Sequence, residues 1–434
     1  MSPIEIGIAG MVLLLFFFFI GVPVSFSFAF AGAISFGWLV NPSAGFRLLS
    51  MQVFDTFSEY FLTVVPMFVL MGSLAFGCGI GGRLFDAGYS VLGRLRGGLA
   101  IGSVAACAGF AAVCGSTAAT TAAMGKVALP EMKRYNYDDA LSTGCIAAAG
   151  SLGILIPPSS TLIVYAMLTE QSVSKLFIGG ILPGVLLAFL FAMAIIIRCA
   201  WNPRLAPAGP ETTIKQKLTS ILGVTEMLIV FLMVMGGLFT GWFTPTQAGG
   251  AGAAAVLLIA LVRRTITWQG LITAFQETVR ISSMVMLLIA GALIFSRFLA
   301  ATKIPFMLSD WLIGLPYSPM TIMWAVVLFH FVAGTFMDAF GLILLTVPIL
   351  FPAIKALGID PIWYGIVIIL VVEMGAISPP EGINMWVVKG IAPDVSVGTI
   401  FRGVVPFMGS LLVCAILLLL FPIIVTFLPS LMSY

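Results

Sequence analysis

Gly150-Ser-Leu-Gly-Ile-Leu-Ile-Pro-Pro-Ser159 sits in the middle of a charge-free run covering residues 140–169. Thirty residues would make a helix of about 45 Å. That is too long for one crossing of a hydrocarbon core of about 30 Å and too short for two. A discontinuous helix, unwound at Gly-Ile-Leu-Ile-Pro-Pro, resolves the mismatch. A second such stretch follows 222 residues later: Glu373-Met-Gly-Ala-Ile-Ser-Pro-Pro-Glu-Gly-Ile-Asn384. The 222-residue shift carries Gly153 to Gly375 and Pro157-Pro158 to Pro379-Pro380. It also carries Pro23 to Pro245, Pro130 to Pro352 and Asp138 to Asp360. One offset holding over so much of the chain marks an internal duplication.

Composition fixes the setting of these breaks. Of 434 residues, 61% are hydrophobic and 9% charged, where soluble domains carry roughly 25% charged residues. A soluble enzyme, a disordered chain, a coiled coil and a disulfide scaffold are all excluded, leaving an all-α polytopic membrane protein in a lipid bilayer. Forty-six glycines and 24 prolines suit broken helices more than plain ones. The six cysteines form no CxxC pair and lie mostly in apolar stretches, so they read as packing residues. The net charge of +3, with no basic run, gives no argument for nucleic acid. No Lys or Arg precedes Arg47, so the first apolar stretch lacks the basic start of a signal peptide.

Apolar stretches long enough to span fall near 5–21, 24–40, 60–78, 175–197, 220–243, 246–262, 281–300 and 400–427. Residues 97–125 are also uncharged and are interrupted by Cys114-Gly-Ser-Thr117. They are too short for two crossings, so a re-entrant hairpin with its tip at that tetrapeptide is expected. The expected organisation is repeat 1 over 1–198 (hairpin 98–130, broken helix 139–169) and a cytoplasmic linker over 199–219, which contains Asn202-Pro203 and Ala208-Gly209-Pro210. Repeat 2 covers 220–434 (hairpin 317–356, broken helix 360–390). With the linker inside, 15 of the 20 basic residues fall on the cytoplasmic side and 5 outside, as the positive-inside rule requires. Both termini are then periplasmic, the two hairpins open to opposite sides, and the repeats are inverted.

Inverted repeats with discontinuous helices at the midplane describe a secondary transporter. Carbonyls freed at a break cannot face lipid and suit a hard cation such as sodium, while half-helix N-termini suit an anion. Each repeat supplies one tip and one break, hence two cation sites.

The stretches Cys114-Gly-Ser-Thr-Ala-Ala-Thr120 through Pro130-Glu-Met132, residues 150–159, Thr244-Pro-Thr-Gln-Ala248 and residues 373–384 together resemble the large membrane subunit of tripartite ATP-independent periplasmic (TRAP) transporters. The resemblance covers essentially the whole chain. It implies an elevator-type importer in a bacterial inner membrane that couples two or more sodium ions to a small organic acid. It also implies a periplasmic solute-binding receptor and a separate small four-helix membrane subunit as partners. By position, the first sodium site would use Cys114 and Ser116 with Gly153, Ile156 and Pro158. The second would use Gly334 with Gly375, Ser378 and Glu381. Substrate would lie near Ser116, Thr117, Thr335 and Asn384. Two departures stand out: Cys114 where serine is frequent, and Ser378 where threonine is usual.

Several residues keep a second reading. Glu373 and Glu381 could serve a cation or proton, sit in wet vestibules, or pair with Lys389. Asp338 could help a cation site or cap the following helix. His330, the one histidine, reads first as a hydrogen-bonded packing residue and second as a proton relay. Gly77-Cys-Gly-Ile-Gly-Gly82 follows no strand and reads as a helix end rather than a dinucleotide loop. Leu308–Leu315 around Trp311 suggests an interfacial helix joining mobile and fixed parts. The expected scaffold comprises the outer helices of about 1–60, 175–300 and 400–427, and the mobile domain comprises hairpins and broken helices. The rival readings are a receptor-independent sodium or proton symporter and, from another class, a passive channel or assembly scaffold. A membrane enzyme ranks last, because no nucleophile, metal or acid–base set stands at usable spacing.

Overall fold

A computed structural model of the chain describes residues 1–207 and 213–432. The Ala208-Gly209-Pro210 part of the expected linker lies outside the described residues, as does the C-terminal end, 433–434. The described residues form helices joined by short turns and include no strand.

The first half comprises α1 (Pro3–Phe19), α2 (Val24–Leu39), α3 (Pro42–Ser58), α4 (Val64–Gly77) and α5 (Ile80–Leu92). It continues with α6 (Gly98–Cys114), α7 (Thr117–Arg134), α8 (Asp139–Gly150), α9 (Leu152–Leu155), α10 (Ser160–Thr169) and α11 (Val173–Trp201). The linker contributes α12 (Ile214–Leu222). The second half comprises α13 (Thr225–Phe239), α14 (Pro245–Val262), α15 (Trp268–Thr302), α16 (Ile304–Ile313) and α17 (Pro319–Gly334). It ends with α18 (Ala339–Ala356), α19 (Pro361–Ala376), α20 (Ile383–Ile391), α21 (Val397–Leu420) and α22 (Ile423–Ser430). Among the described residues, 7 helical stretches are long and apolar enough to cross a membrane, or 8 if the bent pair α12–α13 is one span.

Helix boundaries follow the 222-residue shift. Moved by 222, α7 lands on α18 residue for residue, and α8 starts where α19 starts. The pair α3–α4 falls on the single 35-residue α15. The starts also have local causes. Asp138, Ser159, Asp338 and Asp360 accept backbone N–H bonds at the first turns of α8, α10, α18 and α19, satisfying donors that would otherwise be orphaned.

Three elements differ from expectation. Residues 42–58 form α3, capped by Asn41, whose Oδ1 accepts from Ala44 N at 2.8 Å. Its polar residues hid it from a search for apolar runs. The stretch 400–427 is two helices, because Pro422 cannot continue α21 and holds Phe421 out of the helical region at φ −128° and ψ 74°. The helix carrying Trp311 is α16, which begins at Ile304 rather than Leu308.

Packing also regroups two helices. α11 and α21, expected with the scaffold, pack against the broken helices and each other. A Cβ at Gly403 of α21 would fall 3.1 Å from Gly144 Cα of α8. Trp363 of α19 donates to Leu418 O at 2.8 Å, and Phe191 meets Phe407 edge-on at 5.6 Å. Outside this central body, α2, α3, α4, α14 and α15 pack on one another. α5 lies along α6 and α16 along α18. Within α8–α10 every residue from Leu141 to Ser159 is buried, so the irregular backbone is enclosed by protein, as a break at membrane depth requires.

Candidate substrate and cation site

At the first break, α9 ends at Leu155 and α10 starts at Ser160. Pro157 and Pro158 have no N–H, so the carbonyls of Gly153 and Ile154 lose the partner four residues on. At the second break, Pro379 stands in the same relation to Gly375. Both Pro–Pro bonds are cis.

Each break meets a hairpin tip. α6 ends at Gly115, whose φ of 65° reverses the chain cheaply. Ser116 then caps α7, its Oγ accepting from Ala119 N at 3.4 Å. A Cβ at Gly153 would lie 2.8 Å from both the carbonyl carbon and the oxygen of Ser116, and one at Gly115 would strike the Pro158 carbonyl oxygen. Ser160 Oγ donates to Gly115 O at 3.3 Å. Ser116, Gly153 and Pro158 are thus brought together. The Cys114 backbone faces Gly72 of α4, and Ile156 packs on Gly184 of α11.

In the second half, a Cβ at Gly375 would lie 2.7 Å from Gly334 Cα. Ser378 Oγ donates to Gly375 O at 2.7 Å, leaving its lone pairs free. Glu381 Oε2 is buried without a hydrogen-bond partner. Asp338 caps α18, accepting from Phe340 N at 3.1 Å and Gly341 N at 3.2 Å.

Between the tips lies a cavity of about 60 Å³, lined among others by Ser116, Thr117, Ser160, Asp338, Glu373 and Asn384. Three of the four expected substrate residues therefore share one cavity, and both halves of the chain build it. Thr335 is not among its lining residues; its hydroxyl donates to Val332 O at 2.8 Å. Asp338 both caps and lines the cavity. Glu373 is 3% exposed and accepts from Asn384 Nδ2 at 3.4 Å, while Asn384 Oδ1 is buried and unpartnered. Lys389 bonds the Pro393 and Val395 carbonyls, so it is not the partner of either glutamate.

Other readings resolve as well. His330 joins the arms of the second hairpin, its Nδ1 2.8 Å from Val326 O and its Nε2 2.9 Å from Thr346 Oγ1. Both ring nitrogens are engaged within the hairpin, which is the packing arrangement. Gly79, at φ 68°, separates α4 from α5 as a helix end should. Sequence reasoning missed Ser160 and Thr161 in the cavity lining and Thr120, buried on the arm that follows the first tip. The spacing Thr117-x-x-Thr120-Thr121 puts all three hydroxyls on one helix face, a signal that was there to be read.

The fold and site define an all-helical, polytopic membrane protein with two helix breaks closing on one polar cavity. The family model for the DctM component of the tripartite ATP-independent periplasmic transporter matches residues 11–424, and the chain belongs to that family. A C4-dicarboxylate TRAP transporter large permease from Pseudomonas aeruginosa is 36% identical over 385 residues, 88% of each chain. A sialic acid TRAP transporter large permease from Vibrio cholerae is 31% identical, covering 92% of this chain and 93% of that one. Among solved structures, the YdaH transporter of Alcanivorax borkumensis has the same fold, with a TM-score of 0.62 at 16% identity, covering 87% of this chain and 89% of that one.

Proposed function

We propose that this chain is the large permease of a sodium-coupled importer of a small organic acid in a bacterial inner membrane. A periplasmic receptor delivers the substrate, a separate small membrane subunit accompanies the permease, and transport follows an elevator mechanism. The observation that carries the reading is the pairing of both helix breaks with both hairpin tips around one cavity built from both halves. Sodium, as cargo, would sit at Cys114, Ser116, Gly153, Ile156 and Pro158 in the first half. In the second half it would sit at Gly334, Gly375, Ser378 and Glu381. In the first half, carbonyls deprived of helical partners are the hard oxygen donors such an ion takes; in the second, where Gly375 O already accepts from Ser378 N and Oγ, the Ser378 hydroxyl oxygen and the Glu381 carboxylate are. The names of the two relatives above favour a carboxylate substrate. Two sodium ions beside the cavity would supply the positive charge that its own lining, which contains no Lys or Arg, does not.

Loaded and empty forms differ in stability, and that difference couples the flows. In proteoliposomes containing the permease, its small subunit and its receptor, replacing external sodium by potassium should abolish accumulation. Undiminished accumulation would overturn the sodium reading. Equal uptake without receptor would favour the receptor-independent symporter.

A further inference from the structure

A second polar site lies away from the helix breaks. The C-terminal end of α3, the α15 residues Leu293 and Arg297, and Met167 of α10 surround an open cleft of about 440 Å³. Its polar lining is Gln52, Asp55, Thr56, Ser58, Glu59 and Arg297. In the orientation read from the basic residues, this is the outer side. Two observations point to a ligand. Arg297 lies five residues inside the end of the longest apolar helix and makes no ion pair among the described residues. Its side chain is exposed at the cleft, so the guanidinium is open to a ligand. Gln52 is only 4% exposed, its Nε2 donates to Thr56 Oγ1 at 3.4 Å, and its Oε1 is buried with no partner among the described residues.

Size separates the two sites. The cavity between the tips, at about 60 Å³, holds a few waters, whereas the cleft falls in the range of small-molecule pockets, about 300–1,000 Å³. The cleft also straddles the boundary between outer helices (α3, α15) and the central body (α10).

We propose that this cleft is an outer receiving site for the organic acid. Arg297 takes a carboxylate in its planar fork, and Asp55 takes a hydrogen-bond donor on the same molecule. Arg matches carboxylate geometry bidentately. Asp55 has no ion-pair partner among the described residues, and Glu59 is occupied capping the turn at Phe61 N, 3.4 Å away. The substrate class is therefore a carboxylate that also carries a hydroxyl or ammonium group. This rests on the organic-acid reading above.

The test reads occupancy rather than transport. Ser58, exposed at the rim, is changed by Ser58→Cys in a Cys114→Ser background, since the other five cysteines are buried. The rate of labelling by a charged thiol reagent is measured on the intact permease with its small subunit. Saturating malate should slow labelling about tenfold, as a ligand at ten times its Kd entails, and succinate, lacking the hydroxyl, should protect less. Arg297→Gln should remove the protection and Arg297→Lys should restore part of it. Glu59→Cys gives a second labelling position should the first misfold. Protection by neither acid, or equal protection with and without Arg297, overturns the proposal. Protection by the receptor without any acid also overturns it, making the cleft a protein contact. Because no sodium gradient enters, failure of the sodium reading would show separately, in the uptake assay.

Discussion

Gly153 and Gly375 are the residues on which the site depends most directly. At both, the obstacle to a side chain is backbone, of Ser116 in one case and of Gly334 in the other, so no rotamer change can make room. Gly153→Ala and Gly375→Ala should each lower uptake in the proteoliposome assay tenfold or more, while the protein still elutes as a folded species on size exclusion. Normal uptake by both would show that the tips need not seat against the breaks. Ser378 makes a graded test, because its proton rests on Gly375 O and its lone pairs stay free. Ser378→Ala should raise the sodium concentration for half-maximal uptake by about tenfold, the value of one hydrogen-bond-scale interaction, and Ser378→Thr should not. These glycines and prolines were legible in the sequence because they recur at one offset of 222 residues. The cavity's Ser160 was not, because a hydroxyl on an apolar helix usually satisfies itself on its own backbone, as Thr121 does on Thr117 O at 2.9 Å.

At the level of elements, charge scarcity pointed to the hairpin and broken helix of the first half, where 97–125 and 140–169 lack Lys, Arg, Asp and Glu, while the second half, which carries Asp338, Glu373 and Glu381, was reached through the 222-residue shift. It failed for α3, whose Arg47 and Asp55 break the run although the helix packs beside α2 and α15. It also left open which helices α11 and α21 touch, because length and hydropathy say nothing about a span's neighbours. The cue was Gly403, which with Gly144 lets α21 and α8 approach backbone to backbone, the small-residue packing common in membrane bundles. Gly403→Leu forces those helices apart. Overpacking of this kind costs roughly 1–3 kcal/mol or more, so detergent-solubilised protein should show a clearly lowered Tm. The same substitution at Gly409 of α21, where a Cβ would meet nothing within 4 Å, should leave Tm unchanged. Equal Tm for both variants would refute the packing argument.

For the whole molecule, the proposed motion has one contact that can be fixed chemically. α4 is held on the outer side through Met67 and Phe68 beneath Gly249, and Met71 beneath Gly252, both of α14. Its Gly72 faces the first hairpin tip: a Cβ there would lie 3.0 Å from Cys114 Cα. The two Cβ atoms would then be at most about 4.5 Å apart, within the span a disulfide bridges. Gly72→Cys should therefore cross-link to native Cys114 under mild oxidation, joining a helix of the outer group to the tip of the central body. If that body slides, oxidised protein should stop accumulating substrate, reductant should restore it, and receptor binding should survive because the outer surface is untouched. A control with Cys114→Ser should be insensitive to oxidant. Full uptake by protein shown by peptide mass to be cross-linked would mean that tip and α4 travel together. The fixed and moving parts would then have to be divided elsewhere than between α4 and the first hairpin.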